Sequence, residues 1–290
     1  MSKESKTYAT AAAFRRALEE RLKQTAQTEQ IDINRLRRQV AFDRLLARLF
    51  QTDRAPWTLK GGYALELRLK AARATVDIDL TMQRAVLASG DSDQANAAIR
   101  EMLQDASTPT LGDWLEYLIG APMLDLDGAP YGDARYPVEA RMDARVFARF
   151  HLDVGVGDVI IEPLETIECR QWLQFAGISS PWVAVISREQ HFAEKLHAYT
   201  LPRPRPNTRV KDLVDMALLI QTQGLDSEKT ADAIHMTFNR RNTHEAPVEL
   251  PAPPENWQTP FSALAKECHL PLDITEAWNA IRAFLNRIPM

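Results

Sequence analysis

Hydrophobic positions along this chain follow two periods. From about Thr7 to Ala26, and again from about Asp32 to Phe50, apolar residues recur at helical spacing without Gly or Pro, which predicts two helices. In the second, Leu36, Val40, Leu45, Leu46 and Leu49 form the apolar stripe, with Arg35, Arg37, Arg38, Arg44 and Arg48 between them. These arginines read first as a solvated face and second as a nucleic-acid contact.

The period then shortens. Trp57–Lys60 reads as a short strand followed by the Gly61-Gly62 turn, and Tyr63 to Lys70 is open between strand and helix. In Thr75-Val-Asp-Ile-Asp-Leu80 the alternation is strict, so Val76, Ile78 and Leu80 are expected on a core face and Asp77 and Asp79 opposite. Gln83 to Asp93 reads as loop, Ser92–Gln104 and Leu111–Leu118 as helices, and Gly120 to Gly132 as loop or edge structure. Asp125 and Asp127, lacking β-branched flanks, do not read as a second metal pair. Two strands, Tyr136–Met142 and Val146–Val154, flank a hairpin at Asp143-Ala-Arg145. Phe150, Leu152, Val154 and Val156 share one face of the second, and Arg149, His151 and Asp153 the other.

After one more strand, Trp182–Ile186, the pattern turns helical. Ser187 is expected to cap a helix over Arg188–Tyr199, with Gln190 completing a capping box. Leu201 to Thr208, rich in Pro, is an extended loop, and helices are predicted over Arg209–Ile220, Asp226–Arg240 and Asp273–Arg287. The Pro-rich stretch Pro247–Pro260 separates the last two. The expected fold class is α+β, with a mixed-sheet core and N-terminal helices over residues 1–186 and a helical C-terminal domain over 187–290.

Composition narrows the class only modestly. The 290 residues are 45% hydrophobic and 26% charged, with a net charge of −4, so affinity for nucleic acid would depend on local basic patches. Cys169 and Cys268 lack metal spacing, which suits a reducing compartment. No apolar run reaches the roughly 18 residues of a membrane span, and the first residues lack a signal-peptide core, so a soluble cytoplasmic protein is expected.

The chemistry gathers around the paired aspartates. Two carboxylates on one strand face repel unless a cation joins them, and magnesium is the simplest occupant. Asp153, inside an apolar strand rather than at its turn, is the third carboxylate expected at that metal site. A strand, a Gly-Gly turn and a helix aim backbone N–H groups at a phosphate, though most such pairs are only turns. Lys195, Arg209 and Lys211 are the cations available to a triphosphate. Each has a plainer reading: Lys195 as a partner of neighbouring carboxylates, and His191 as a packing residue. Arg203, Arg205, Arg209 and Lys211 read either as an RNA patch or as soluble loop chemistry. Asp215 reads as the structural partner of Lys211 at i,i+4 and Asp212 as the functional acid.

Leu-Lys-Gly-Gly-Tyr-Ala-Leu, Arg73, Val-Asp-Ile-Asp-Leu, Phe-His-Leu-Asp-Val, Glu-Lys-Leu-His-Ala and Arg-Val-Lys-Asp-Leu-Val-Asp, in that order over residues 55 to 220, resemble the AbiEii-type nucleotidyltransferases. These are toxins of abortive-infection and toxin–antitoxin systems. The resemblance implies a polymerase-β-like core that transfers nucleotides from an NTP to RNA, with tRNA 3′ ends as acceptor and a cognate antitoxin as partner. It makes Gly61 and Gly62 the phosphate-side turn, Asp77 and Asp79 metal ligands, Lys195 a phosphate contact and Asp212 an essential acid. Asp153 fits the third strand carboxylate of the wider superfamily. Tyr63 departs from the Thr or Ser that often follows the glycines, which removes a hydroxyl from the triphosphate side. Two other readings stay open: transfer to a small molecule or protein, and a degenerate module that binds RNA or a partner without turnover.

Overall fold

The computed structural model describes residues 8–52, 55–69, 73–82, 92–126, 133–204 and 206–289. The first residues, Lys70, most of the loop expected at Gln83–Asp93, Asp127 and Arg205 lie outside the described residues. Two compact units divide the chain. One comprises Met1–Leu59, Ala74–Gly157 and Thr166–Val185; the other comprises Lys60–Arg73, Asp158–Glu165 and Ile186–Met290.

The first unit opens with α1 (Ala11–Glu29) and α2 (Ile33–Leu49). Each starts where a side chain satisfies an orphan N–H: Thr10 accepts from Ala13 at 3.2 Å, and Asp32 from Arg35 at 3.0 Å. Phe14, Leu18 and Leu22 recur every fourth residue of α1 and are buried. The apolar stripe of α2 is buried as expected, with the Phe42 ring edge-on to Phe150 at 4.7 Å. Its arginines, however, do not form one solvated face. Arg37 pairs with Glu19 at 2.7 Å, while Arg44 and Arg48 are buried around Asp113 with nitrogen–oxygen distances of 2.7 Å. A carboxylate supplied from a loop makes an interior position tolerable for two guanidinium groups.

The sheet, among the described residues, has eight strands: β1 (Trp57–Lys60), β2 (Asp77–Met82), β3 (Glu116–Ile119), β4 (Met123–Leu126), β5 (Asp133–Met142), β6 (Arg145–Val156), β7 (Glu165–Glu168) and β8 (Trp182–Val185). Their order is β3-β5-β6-β2-β1-β8-β7, with β4 also paired to β5. The β2–β6 and β1–β8 pairs are parallel and the pairs of β5 antiparallel, so the sheet is mixed, as the α+β expectation required. Ile78 and Leu80 are buried, but Val76 precedes the strand at a bend and is 54% exposed. The hairpin turns on Asp143 and Ala144, both at positive φ, which matches the right-handed twist of the flanking strands.

A helix, α4, covers Ser92–Ser107, but none forms over Leu111–Leu118. Gly112 and Trp114 take positive φ there, the Asp113 carboxylate accepts from Leu115 N–H at 3.1 Å, and the chain leaves the turn extended into β3. Tyr117 and Ile119 are buried while Glu116 and Leu118 are exposed, a two-residue period.

In the second unit Gly61 and Gly62 head α3 (Gly61–Arg68), so the ambiguous stretch is helical there; Tyr63 is fully buried. The helices α5 (Arg188–Thr200), α6 (Val210–Gln223), α7 (Ser227–Arg241), α8 (Gln258–Glu267) and α9 (Ile274–Leu285) follow. Ser187 caps α5 by accepting from Gln190 N–H at 3.1 Å, but the capping box is not completed. The Gln190 amide instead donates to the Val159 carbonyl at 2.8 Å and accepts from Ile161 N–H at 3.0 Å. The stretch Pro247–Pro260 contains the start of α8, because Pro260 falls in the first turn, where its missing N–H costs nothing. Leu213, Val214, Ala217 and Leu218 of α6 pack in one apolar core with Phe192, Phe261, Ile281 and Phe284.

Burial, not surface charge, defines Asp113. Its carboxyl is desolvated, yet Arg48 and then Arg44 hold it below its ordinary 3.8. Asp113→Ala leaves two buried cations without a counter-charge and is expected to cost about 3–5 kcal/mol in urea unfolding. A loss below about 1 kcal/mol would show that the cluster does not anchor this unit.

Candidate active site

Strand periodicity builds the acidic face. Asp77 and Asp79 are two residues apart on β2, and the parallel register with β6 sets Asp77 beside His151 and Asp79 beside Asp153. Side chains opposite each other on neighbouring strands point the same way, so three carboxylates and an imidazole share one surface of the sheet. Asp77 and Asp153 are largely but not fully covered, with side-chain exposures of 22% and 15%. The structure thus brings together the three residues expected to hold metal.

It also adds a residue the sequence reading missed. Arg135 of β5 lies opposite Asp153 in the antiparallel ladder and binds it through two bonds, Nε–Oδ1 at 2.8 Å and Nη2–Oδ2 at 2.6 Å. The same Nη2 reaches Asp77 Oδ2 at 3.4 Å. The bond to Asp153 raises the guanidinium pKa above its ordinary value, and the charges of Asp153, Asp77 and Asp79 add to the effect. His151 Nδ1 lies 3.2 Å from Asp77 Oδ1. Among the described residues, no three His, Cys, Asp or Glu side chains already converge as a metal cage. The carboxylates offer oxygen donors that are partly open to solvent, with a guanidinium as the cation they hold, and this donor chemistry fits a hard divalent ion.

Lys195, Asp212 and the Gly61-Gly62 pair belong to the second unit. The Lys195 ammonium lies 2.9 Å from both Asp212 Oδ1 and Asp215 Oδ2. Arg73 donates to Asp215 through Nε at 2.9 Å and Nη2 at 2.8 Å. Asp215 therefore faces inward, fully buried, and is not the surface partner of Lys211. Burial alone would lower the Lys195 pKa, but Asp212 and Asp215 outweigh it and the ammonium is held above its ordinary range. Burial would likewise raise Asp215, but Lys195 and Arg73 pull it down to about 2. His191, buried one turn before Lys195, is kept neutral by burial and by the neighbouring Lys195 and Arg68. The second oxygen of Asp212 is buried without a hydrogen-bond donor among the described residues; Arg209 stands 3.8 Å away.

The family model describing the nucleotidyl transferase AbiEii toxin of type IV toxin–antitoxin systems matches residues 44–286. The chain belongs to the AbiEii family. It is therefore a nucleotidyltransferase of the toxin class, for which an NTP substrate and an antitoxin partner are implied. No curated protein matches it. Among solved structures it is similar to JHP933 from Helicobacter pylori, at 14% identity and a TM-score of 0.46, covering 88% of this chain and 91% of that one. A second H. pylori structure, described as a nucleotidyltransferase candidate, is similar at 12% identity and a TM-score of 0.43, covering 85% and 91%. Among the described residues, no helix of this AbiEii-family protein is long and apolar enough to cross a membrane.

Two AbiEii-family residues were hidden for different reasons. Arg135 alternates with buried Ala134 and Tyr136, so its outward face was readable, but its pairing with Asp153 depends on a register between strands. Helical spacing pairs Asp215 with Lys211, whereas α6 buries the side on which Asp215 lies. Because the folded pKa of Asp215 is depressed, its stabilisation is present above 3.8 and fades as pH falls towards about 2. The stability gap between the parent protein and Asp215→Asn should shrink by about 2 kcal/mol between pH 5 and pH 2, read by denaturant unfolding. A gap constant over that range would show that Asp215 is not held as an anion.

Proposed function

We propose that this AbiEii-family enzyme uses a divalent metal, magnesium in the simplest case, to transfer nucleotides from an NTP to RNA. The acceptor is the 3′ end of tRNA, and a cognate antitoxin neutralises the activity. The observation that carries the reading is the β2–β6 register, which assembles Asp77, Asp79 and Asp153 on one sheet surface. Asp77, Asp79 and Asp153 would hold the metal. When bound, it would activate the attacking hydroxyl and stabilise the departing pyrophosphate. Arg135 clamps Asp153 and balances part of the surface's negative charge, and His151 orients Asp77 through the Nδ1 contact.

Gly61 and Gly62 present the head of α3 to phosphate, with Lys195 as the lysine of the nucleotide side and Asp212 as its acid. Lys195 enters that role already fixed by Asp212 and Asp215, which sets its position at the cost of freedom. Tyr63 is fully buried, so it fills the interior of the second unit where Thr or Ser would offer a hydroxyl to the triphosphate side.

The test is the double variant Asp77→Asn/Asp79→Asn. It should lose at least about 100-fold of nucleotide incorporation into RNA and abolish growth arrest, while its thermal unfolding stays close to that of the parent. Growth arrest undiminished in a folded double variant would contradict the proposal.

A further inference from the structure

In the second unit one buried carboxylate ties together the Gly61-Gly62 turn and the helix that carries Lys195. We propose that Asp158 is a positioning residue for the nucleotide: through Lys60 it sets the turn, and through α5 it sets Lys195. The inference rests on the nucleotidyl-transfer reading above, which gives that turn and Lys195 to the triphosphate. The Asp158 side chain is completely shielded from solvent. Its Oδ2 accepts from Lys60 Nζ at 3.2 Å, and Arg241 grips both oxygens, Nε to Oδ1 at 3.1 Å and Nη2 to Oδ2. Lys60 is the N-cap residue of α3 and immediately precedes Gly61, which turns the chain at a φ of 65°. A lysine side chain has no acceptor with which to cap a helix, and its ammonium reaches Asp158 instead. The anchor thus lies one residue from the turn.

The same network holds α5. Gln190, Glu194 and His197 recur at helical spacing along one side of it. Glu194 Oε2 stands 3.6 Å from Arg241 Nη2 and 3.9 Å from Lys60 Nζ. Gln190 straps down the segment after Asp158 through the Val159 carbonyl and Ile161 N–H, and donates to Glu194 Oε1 at 3.1 Å. His197 Nδ1 lies 3.3 Å from Arg241 Nη1, and because a guanidinium only donates, this nitrogen accepts. Burial first, and then Arg241, push the His197 pKa down to about 3, so the imidazole is neutral and its Nε2–H donates to Thr243 Oγ1 at 2.8 Å. Lys195 follows Glu194 about 100° further round the helix, where it meets Asp212 and Asp215. α5 is therefore gripped by ionic clusters on two sides, and its rotation depends on both. In the Asp158 cluster Lys60 and Arg241 balance Asp158 and Glu194. Without the Asp158 charge, two cations face one carboxylate and repel each other.

Dissociation constants for each labelled NTP, with magnesium present, and for tRNA are measured on the parent, Asp158→Asn, Lys60→Met and Lys60→Arg, with thermal unfolding alongside. Ile281→Ala, a cavity variant in the apolar core of the same unit, is the control for lost stability alone. Asp158→Asn and Lys60→Met should each weaken NTP binding by about tenfold or more while tRNA binding stays within about twofold. Lys60→Arg, which keeps the charge, should recover most of the loss, and Ile281→Ala should bind NTP within about twofold of the parent. If Asp158→Asn does not fold, Lys60→Met decides. NTP binding by folded Lys60→Met within about twofold of the parent, or an equal loss in Ile281→Ala, overturns the positioning role while nucleotide binding stands. A folded parent that binds none of the four NTPs sinks the nucleotidyl-transfer reading, and this inference with it.

Discussion

Three carboxylates cannot share one surface without a positive charge among them, and the first unit is arranged around that constraint. The parallel β2–β6 register fixes Asp77, Asp79, His151 and Asp153 in two rows, and a slip of one residue would turn each onto the core face. The apolar partners Ile78, Leu80, Leu152 and Val154 are fully buried on the other side. Packing on one face therefore enforces electrostatic crowding on the other. Arg135, bonded twice to Asp153, relieves part of it.

The same rule recurs where charge is buried. Asp113 answers Arg44 and Arg48 in the first unit, and in the second Asp215 answers Lys195 and Arg73. Also in the second unit, Asp158, completely shielded from solvent, bonds Lys60 at 3.2 Å and Arg241 at 3.1 Å. Lys60 and Arg241 outweigh burial and hold its carboxyl far below the ordinary carboxylate range. Such clusters are weak contributors to net stability but costly to break, because removing one member strands the others. They fix long cationic side chains in place, as Asp212 and Asp215 fix Lys195.

Much of this was legible in the sequence because it depends on periodicity. The alternation of residues 75–80 and 146–154 predicts both carboxylate-bearing strands, and the helical stripes predict α2, α5 and α6. What stayed hidden depends on neighbours distant in the chain. Arg44 and Arg48 look like surface residues until Asp113 arrives 65 or more positions later. Leu111–Leu118 has helical composition, but Gly112 and Trp114 at positive φ and the Asp113 bonds turn it into a strand. α8 was masked by its flanking prolines, although a proline at the third helical position is tolerated. Short β7 alternates half-buried and exposed positions without a strong apolar signal.

We propose that the acidic face of β2 and β6 performs metal-dependent nucleotide transfer to RNA. The most direct measurement incubates purified protein with purified tRNA and each labelled NTP in turn, with magnesium or with excess chelator. Label should appear on the tRNA with at least one NTP, dependent on magnesium and lost with the chelator. Label appearing on protein or small acceptors but not RNA, or label undiminished by the chelator, would contradict it.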